Sequence, residues 1–207
     1  IVILPDVLTS EAEKETYRQA DMIVGVKYDA SLPKPERLSL FHVPGAGYDA
    51  VNLDLMPKGA VVCNCFGHDP AIAEYIFSAI LNCHVPLLDA DEKLRRGEWA
   101  YWSGSSDRLH GEICGKTIGL LGFGHIGKAV AKRAKAFEMQ VSVANRSPVD
   151  VSDLVDQSFT LDHLDNFWGT ADFIIVSVPL IDATRGIVGA SAFAAMKPDS
   201  VIINVGR

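Results

Sequence analysis

The chain has 207 residues, enough for one large or two small domains. A hydrophobic fraction of 48% and a charged fraction of 22% are those of a soluble globular protein. The net charge of -7 at pH 7 argues against a general nucleic-acid or anionic-membrane partner, while leaving room for an anionic substrate in a local basic pocket.

Neither a bilayer-length apolar run nor a signal-like start is found, so a cytoplasmic protein with no membrane association is expected. The opening Ile1-Val2-Ile3-Leu4 reads as a strand without an initiator Met, and the chain stops at Arg207 directly after another strand, so both ends read as cut. Ser10-Glu11-Ala12-Glu13 fits a capping box and predicts a helix to about Ala20. Strands are expected over Asp21 to Val26, Leu38 to Val43 and Val61 to Cys65. Alternation of strands and helices predicts parallel sheets. The loop Gly45-Ala46-Gly47 follows a strand end, where open α/β sheets hold ligands; it is either a carboxylate-binding set of amides or a plain turn.

The four cysteines, Cys63, Cys65, Cys83 and Cys114, form no CxxC pair, which fits reduced, mostly buried thiols. Cys63, Cys65 and His68 can be drawn as metal ligands or as strand packing; packing is the expectation, and no metal is assigned. Pro70 starts a long helix with Ile72, Ala73, Ile76, Phe77, Ile80 and Leu81 at helical spacing, and Glu74 within it is expected to hold a neighbouring loop. From Asp89 to Glu112 the composition turns polar, with Arg95-Arg96-Gly97-Glu98 and Gly104-Ser105-Ser106, and a hinge or domain boundary is expected there. Trp99, Tyr101 and Trp102 either line a cleft or anchor this loop.

Lys116-Thr117-Ile118-Gly119-Leu120-Leu121 reads as a buried strand that runs into Gly122-Phe123-Gly124-His125-Ile126-Gly127. Ala129, Val130, Ala131, Ala134 and Phe137 then supply an apolar helix face, and Val141 to Ala144 a second strand. Such a strand, glycine turn and helix is of the type expected to bind a dinucleotide, with a ligand-free turn as the alternative: the first glycine allows the turn, the second close approach of pyrophosphate, the third helix packing. Helix N–H groups and the helix dipole favour the phosphates. Asn145-Arg146-Ser147 ends the second strand where a carboxylate would select the ribose hydroxyls of NAD. With Asn and Arg there instead, NADP is favoured over NAD. Leu161 to Phe167 and Ser191 to Met196 are expected as helices, Phe173 to Val178 and Ser200 to Val205 as strands, the last delivering Gly206 and Arg207. Arg207 is placed either to grip a planar carboxylate or to lie on the surface.

Gly45-Ala46-Gly47-Tyr48-Asp49, Ala73-Glu74, Arg96-Gly97-Glu98-Trp99, Gly115 to Gly119, the glycine turn, Val178-Pro179-Leu180, Thr184-Arg185-Gly186, Met196-Lys197-Pro198 and Ile203 to Arg207 occur in one order. Together they resemble the D-isomer-specific 2-hydroxyacid dehydrogenases over nearly the whole chain, with a corner at Asn145 to Ser147 most like NADP-preferring glyoxylate and hydroxypyruvate reductases. The resemblance implies an α/β fold of two domains with parallel sheets: a flavodoxin-like substrate domain over 1–88 and a Rossmann domain over 89–207, both incomplete. It implies that Gly45, Ala46 and Gly47 offer amides to a substrate carboxylate and that Gly122, Gly124, His125, Ile126 and Gly127 meet the pyrophosphate. Val178, Pro179, Thr184, Val205 and Gly206 would border the cofactor, and Arg207 would be the catalytic arginine. The family's Glu and His proton donor would lie beyond Arg207. None of His42, His68, His84, His110, His125 or His163 stands in the matching motif. The implied reaction is hydride transfer from NAD(P)H to C2 of a small 2-oxo acid, in a homodimer. A cofactor-sensing corepressor-like protein and a formate or phosphite dehydrogenase are the alternatives on the same scaffold.

Overall fold

Ser10 accepts a hydrogen bond from the Glu13 N–H at 3.2 Å while the Glu13 carboxylate accepts from the Ser10 N–H at 2.9 Å, closing the expected capping box at the start of helix α1 (Glu11–Arg18). In the computed structural model, which describes residues 1–104 and 109–206, the chain divides into two compact units, Ile1–Gly67 and His68–Arg207. That division falls ahead of the change in composition at Asp89, because the long helix α2 (Asp69–His84) packs on the second unit's own core.

The first unit holds three parallel strands in the order β1 (Met22–Val24), β2 (Leu40–His42), β3 (Val61–Cys63). Tyr28, Phe41 and Val43 are its buried centre. Each strand is shorter than the span expected from the sequence. Ile1 to Leu4 is not a strand: Ile1 and Ile3 are fully exposed, and only Leu4 reaches the core. Apolar composition alone does not make a strand.

In the second unit a parallel sheet runs in the order β6 (Gln157–Thr160), β5 (Gln140–Asn145), β4 (Thr117–Leu121), β7 (Phe173–Val176), β8 (Val201–Asn204). Strand periodicity decides which helix covers which face. Ile118, Leu120, Val141, Val143, Phe173 and Ile175 point to the side of α2 and α4 (His125–Ala136). Leu121, Ala144, Ile174 and Val176 point to α5 (Leu164–Thr170) and α6 (Ala190–Ala195), where Phe167, Trp168 and Ala192 are buried. Gly119 is required on that second face, since a Cβ there would lie 2.8 Å from the Ala171 Cβ and 3.1 Å from the Phe167 ring.

Three sequence expectations are corrected. Glu74 holds no loop; its carboxylate pairs with Arg133 of α4 at 3.2 Å, across the contact of two helices. The polar stretch after residue 86 opens with a helix, α3 (Leu87–Arg95), before the chain becomes irregular. The expected helix over Leu161 to Phe167 is a 3-10 turn at Leu161–His163 followed by α5. Trp99 and Trp102 are exposed, whereas the Tyr101 hydroxyl donates to Asp89 of α3. Ser105, Ser106 and Arg207 lie outside the described residues.

Candidate functional site

The sheet order of the second unit puts β4 at its centre, with β5 reached first on one side and β7 later on the other. The chain therefore changes direction at β4, and the carboxyl end of that strand is the place where such sheets take ligands. Gly122 follows β4 with φ +100, and a Cβ on it would meet Ser177 Oγ at 3.1 Å and Val178 Cγ1 at 3.2 Å. Gly127 lies in the first turn of α4, where a Cβ would stand 2.5 Å from the Gly122 carbonyl oxygen, so helix and turn touch backbone to backbone. Gly124 differs from both: it is exposed, it caps α4 with no side-chain hydrogen bond, and a Cβ there would meet nothing within 4 Å. Open space before a helix amino end is where an anion can meet backbone N–H groups.

Neighbouring strand ends brace this turn. Asn145, at the end of β5, accepts from the Phe123 N–H at 3.3 Å and donates to the Ser147 carbonyl at 3.0 Å, tying the turn to the corner that follows. Asn145 is thus a bracket for backbone as well as a candidate contact. Arg146 and Ser147 are exposed on the same corner, and among the described residues Arg146 forms no ion pair. Ser177 Oγ lies 3.3 Å from the Leu121 carbonyl and 3.4 Å from that of Gly122.

Beyond β7, Val178 and Pro179 enter a loop closed by Thr184. The buried Thr184 hydroxyl donates toward the Pro179 carbonyl and accepts from the Ile181 N–H at 3.0 Å, so its hydrogen bonds shape the loop. Val205 donates its N–H to the Val176 carbonyl at 3.0 Å. Gly206 donates to Asn204 Oδ1 at 2.9 Å, and a Cβ on it would come within 2.9 Å of the Val178 carbonyl oxygen. The predicted residues from Gly122 to Gly127, Asn145 to Ser147, Val178 to Thr184 and Val205 to Gly206 are therefore brought to one edge of one sheet. His125 and Ile126 open α4 on that edge.

In the first unit, Gly45, Ala46 and Gly47 follow β2 as a loop. Asn64 Nδ2 donates to the Ala46 carbonyl at 2.8 Å and the Cys65 N–H to the Gly45 carbonyl at 3.1 Å. The continuation of β3 thus fixes the loop through its carbonyl oxygens. Asn64 and Ser177 were not singled out in the sequence, although each is a polar residue directly after an apolar strand, the signal that marks a strand's carboxyl end.

Comparison with known proteins identifies the family of the second unit. The family model described as D-isomer specific 2-hydroxyacid dehydrogenase, NAD binding domain, matches residues 77–207. The D-3-phosphoglycerate dehydrogenase of Methanocaldococcus jannaschii is 32% identical over 97% of this chain and 38% of its own length. The hydroxypyruvate reductase of Thermotoga maritima is 33% identical over 99% of this chain and 62% of its own. The chain thus spans less than two thirds of either relative. The solved structure of an acyclic imino acid reductase (Bsp5) in complex with NADPH and D-Arg superposes with a TM-score of 0.78, at 28% identity, over 96% of this chain and 64% of that one.

Proposed function

We propose that this chain, which belongs to the D-isomer specific 2-hydroxyacid dehydrogenase family, serves in the NADPH-dependent reduction of a small 2-oxo acid of the glyoxylate or hydroxypyruvate type to a D-2-hydroxy acid. The observation that carries the cofactor half of this reading is the open space at Gly124 before the uncapped amino end of α4. A bound nicotinamide would supply the hydride. The protein's part is to seat and orient: the α4 amides take the pyrophosphate, Asn145 keeps the turn in register with β5, and the Val178 to Thr184 loop closes the far side.

For the substrate half, the Gly45 to Gly47 loop is assigned to the carboxylate, and Arg207 to carboxylate and carbonyl together, polarising C2 toward hydride. The family's Glu and His pair, which the resemblance sets downstream of Arg207, is assigned the proton. A cytoplasmic setting and a homodimer belong to the same reading, from family resemblance. NADP is preferred to NAD in this proposal because the corner after β5 offers an exposed guanidinium at Arg146 and no carboxylate. The test is a titration of the natural chain and of Arg146→Ala with NADPH and NADH. NADPH is expected to bind the natural chain more tightly, and the variant to lose roughly tenfold for NADPH alone, the worth of one charge-assisted hydrogen bond. An unchanged ratio of the two affinities would remove Arg146 from cofactor choice.

A further inference from the structure

The parallel register of the first unit sets His42 of β2 directly opposite Cys63 of β3. Opposite residues of paired strands share a face of the sheet. The two side chains meet there, with His42 Nδ1 3.2 Å from Cys63 Sγ, both half-buried. This partner replaces the grouping of Cys63 with Cys65 and His68 weighed in the sequence. Among the described residues no three His, Cys, Asp or Glu side chains are grouped to hold a metal ion.

The surroundings of Cys114 are opposite in chemistry. Its Sγ stands 3.7 Å from a Glu138 carboxylate oxygen, and that negative charge, with a smaller contribution from burial, holds the thiol above its ordinary range. The chain therefore contains one thiol beside an imidazole and another beside a carboxylate. Thiolate character decides the reactivity of cysteine, and a paired imidazole is one of the environments that promotes it.

We propose that Cys63 is a nucleophilic thiol and a site of covalent modification by small soft electrophiles, with His42 as its proton acceptor. In the step, Sγ gives its proton to His42 Nδ1 and the sulfur lone pair attacks carbon. With iodoacetamide the S–C bond forms, the C–I bond breaks, iodide leaves with its electron pair, and the proton passes from the imidazolium to water. Cys63 directly precedes Asn64 and Cys65, which hold the Ala46 and Gly45 carbonyls. An adduct would therefore disturb the support of that loop, a consequence that rests on the loop's proposed role, whereas the labelling itself does not.

The test measures the rate of iodoacetamide labelling at each cysteine of the natural chain at pH 7 by peptide mass spectrometry, folded and in urea. Cys63 is expected to react about tenfold faster than Cys114 in the folded chain, with the advantage lost in urea, where the strand register is gone. Equal or slower labelling of Cys63 in the folded chain overturns the proposal, as does an advantage that survives in urea. In His42→Gln, folded by circular dichroism, Cys63 is expected to fall to its urea ratio; a folded variant that labels as fast as the natural chain also overturns it. Should the variant not fold, the comparison in the natural chain still decides.

Discussion

Gly124 and Gly127 belong to one turn, yet an alanine at each would act through different physics. At Gly127 the new Cβ would press on the Gly122 carbonyl oxygen from 2.5 Å, a backbone atom that cannot swing aside. Helix α4 would have to move off the turn, at about 1–3 kcal/mol, the usual cost of overpacking. At Gly124 the Cβ meets no protein atom, and the folded chain would lose only about half a kcal/mol, the difference between Gly and Ala as helix caps. It would stand, however, in the space assigned to pyrophosphate. Gly124→Ala is thus expected to keep its thermal midpoint near that of the natural chain while losing at least roughly tenfold in NADPH affinity, about 1.4 kcal/mol. Gly127→Ala should show a clear drop in the midpoint itself. Melting curves with and without NADPH separate the two. Undiminished NADPH binding by Gly124→Ala would mean that the open space is not the phosphate seat. Here the order of the glycines already assigned turn, phosphate approach and helix packing to the first, second and third, because strand, glycine turn and helix follow one another directly in the chain; the distances add the steric reasons.

The elements of the second unit are stitched at their amino ends by carboxylates, a feature invisible in the sequence because its partners are far apart in the chain. Asp172, just ahead of β7, accepts from the Thr117 N–H of β4 at 2.8 Å and from Lys197 Nζ, ahead of β8, at 2.8 Å. Asp156 does the same near β6, accepting from the Val141 N–H at 2.6 Å and from Lys135 Nζ. Burial alone would push the Asp172 carboxyl up, but the Lys197 ammonium and the Thr117 N–H outweigh it and hold the group below the usual carboxylate range. A depressed folded value means that the charged form stabilises the fold at any pH above the ordinary value of about 4, and that this contribution is lost as pH falls through the lower, folded value. Asp172→Asn is accordingly expected to cost about 1–2 kcal/mol at pH 7, through a weakened acceptor and a lost ion pair. In urea unfolding the gap to the natural chain should narrow once the pH is taken below the ordinary carboxylate range. A gap of the same size at pH 7 and in acid would show that the aspartate acts through shape and not charge.

At the scale of the whole chain, what could be read in advance follows how local each signal is. The strands β4, β5 and β7 were recognisable because both of their faces are buried and the apolar run is nearly continuous. Strand β6, Gln-Ser-Phe-Thr at the sheet edge, has no such run and exists because β5 offers it a ladder. Helix α3 has no buried residue, and its signal lay in charge: Asp89 with Lys93, Asp91 with Arg95 and Glu92 with Arg96, each four apart, are all ion pairs. The same contrast in burial separates the two units and predicts their dynamics. All four residues of β7 are buried and its ladder is covered by helices on both faces, so its amides can exchange only through large openings. In the first unit Met22 and Val24 of β1 are 67% and 69% exposed, and Val61 of β3 is 59% exposed, so less apolar contact is lost when those strands open. Local opening costs least where few apolar contacts are broken. Native-state hydrogen exchange followed by mass spectrometry is therefore expected to find the slowest amides in β4, β5 and β7 and markedly faster exchange across β1 to β3, with α3 fastest among the helices. Equal protection of the two sheets would mean that the first unit opens only together with the second. That outcome would require a single cooperative unit in place of the two into which the fold divides.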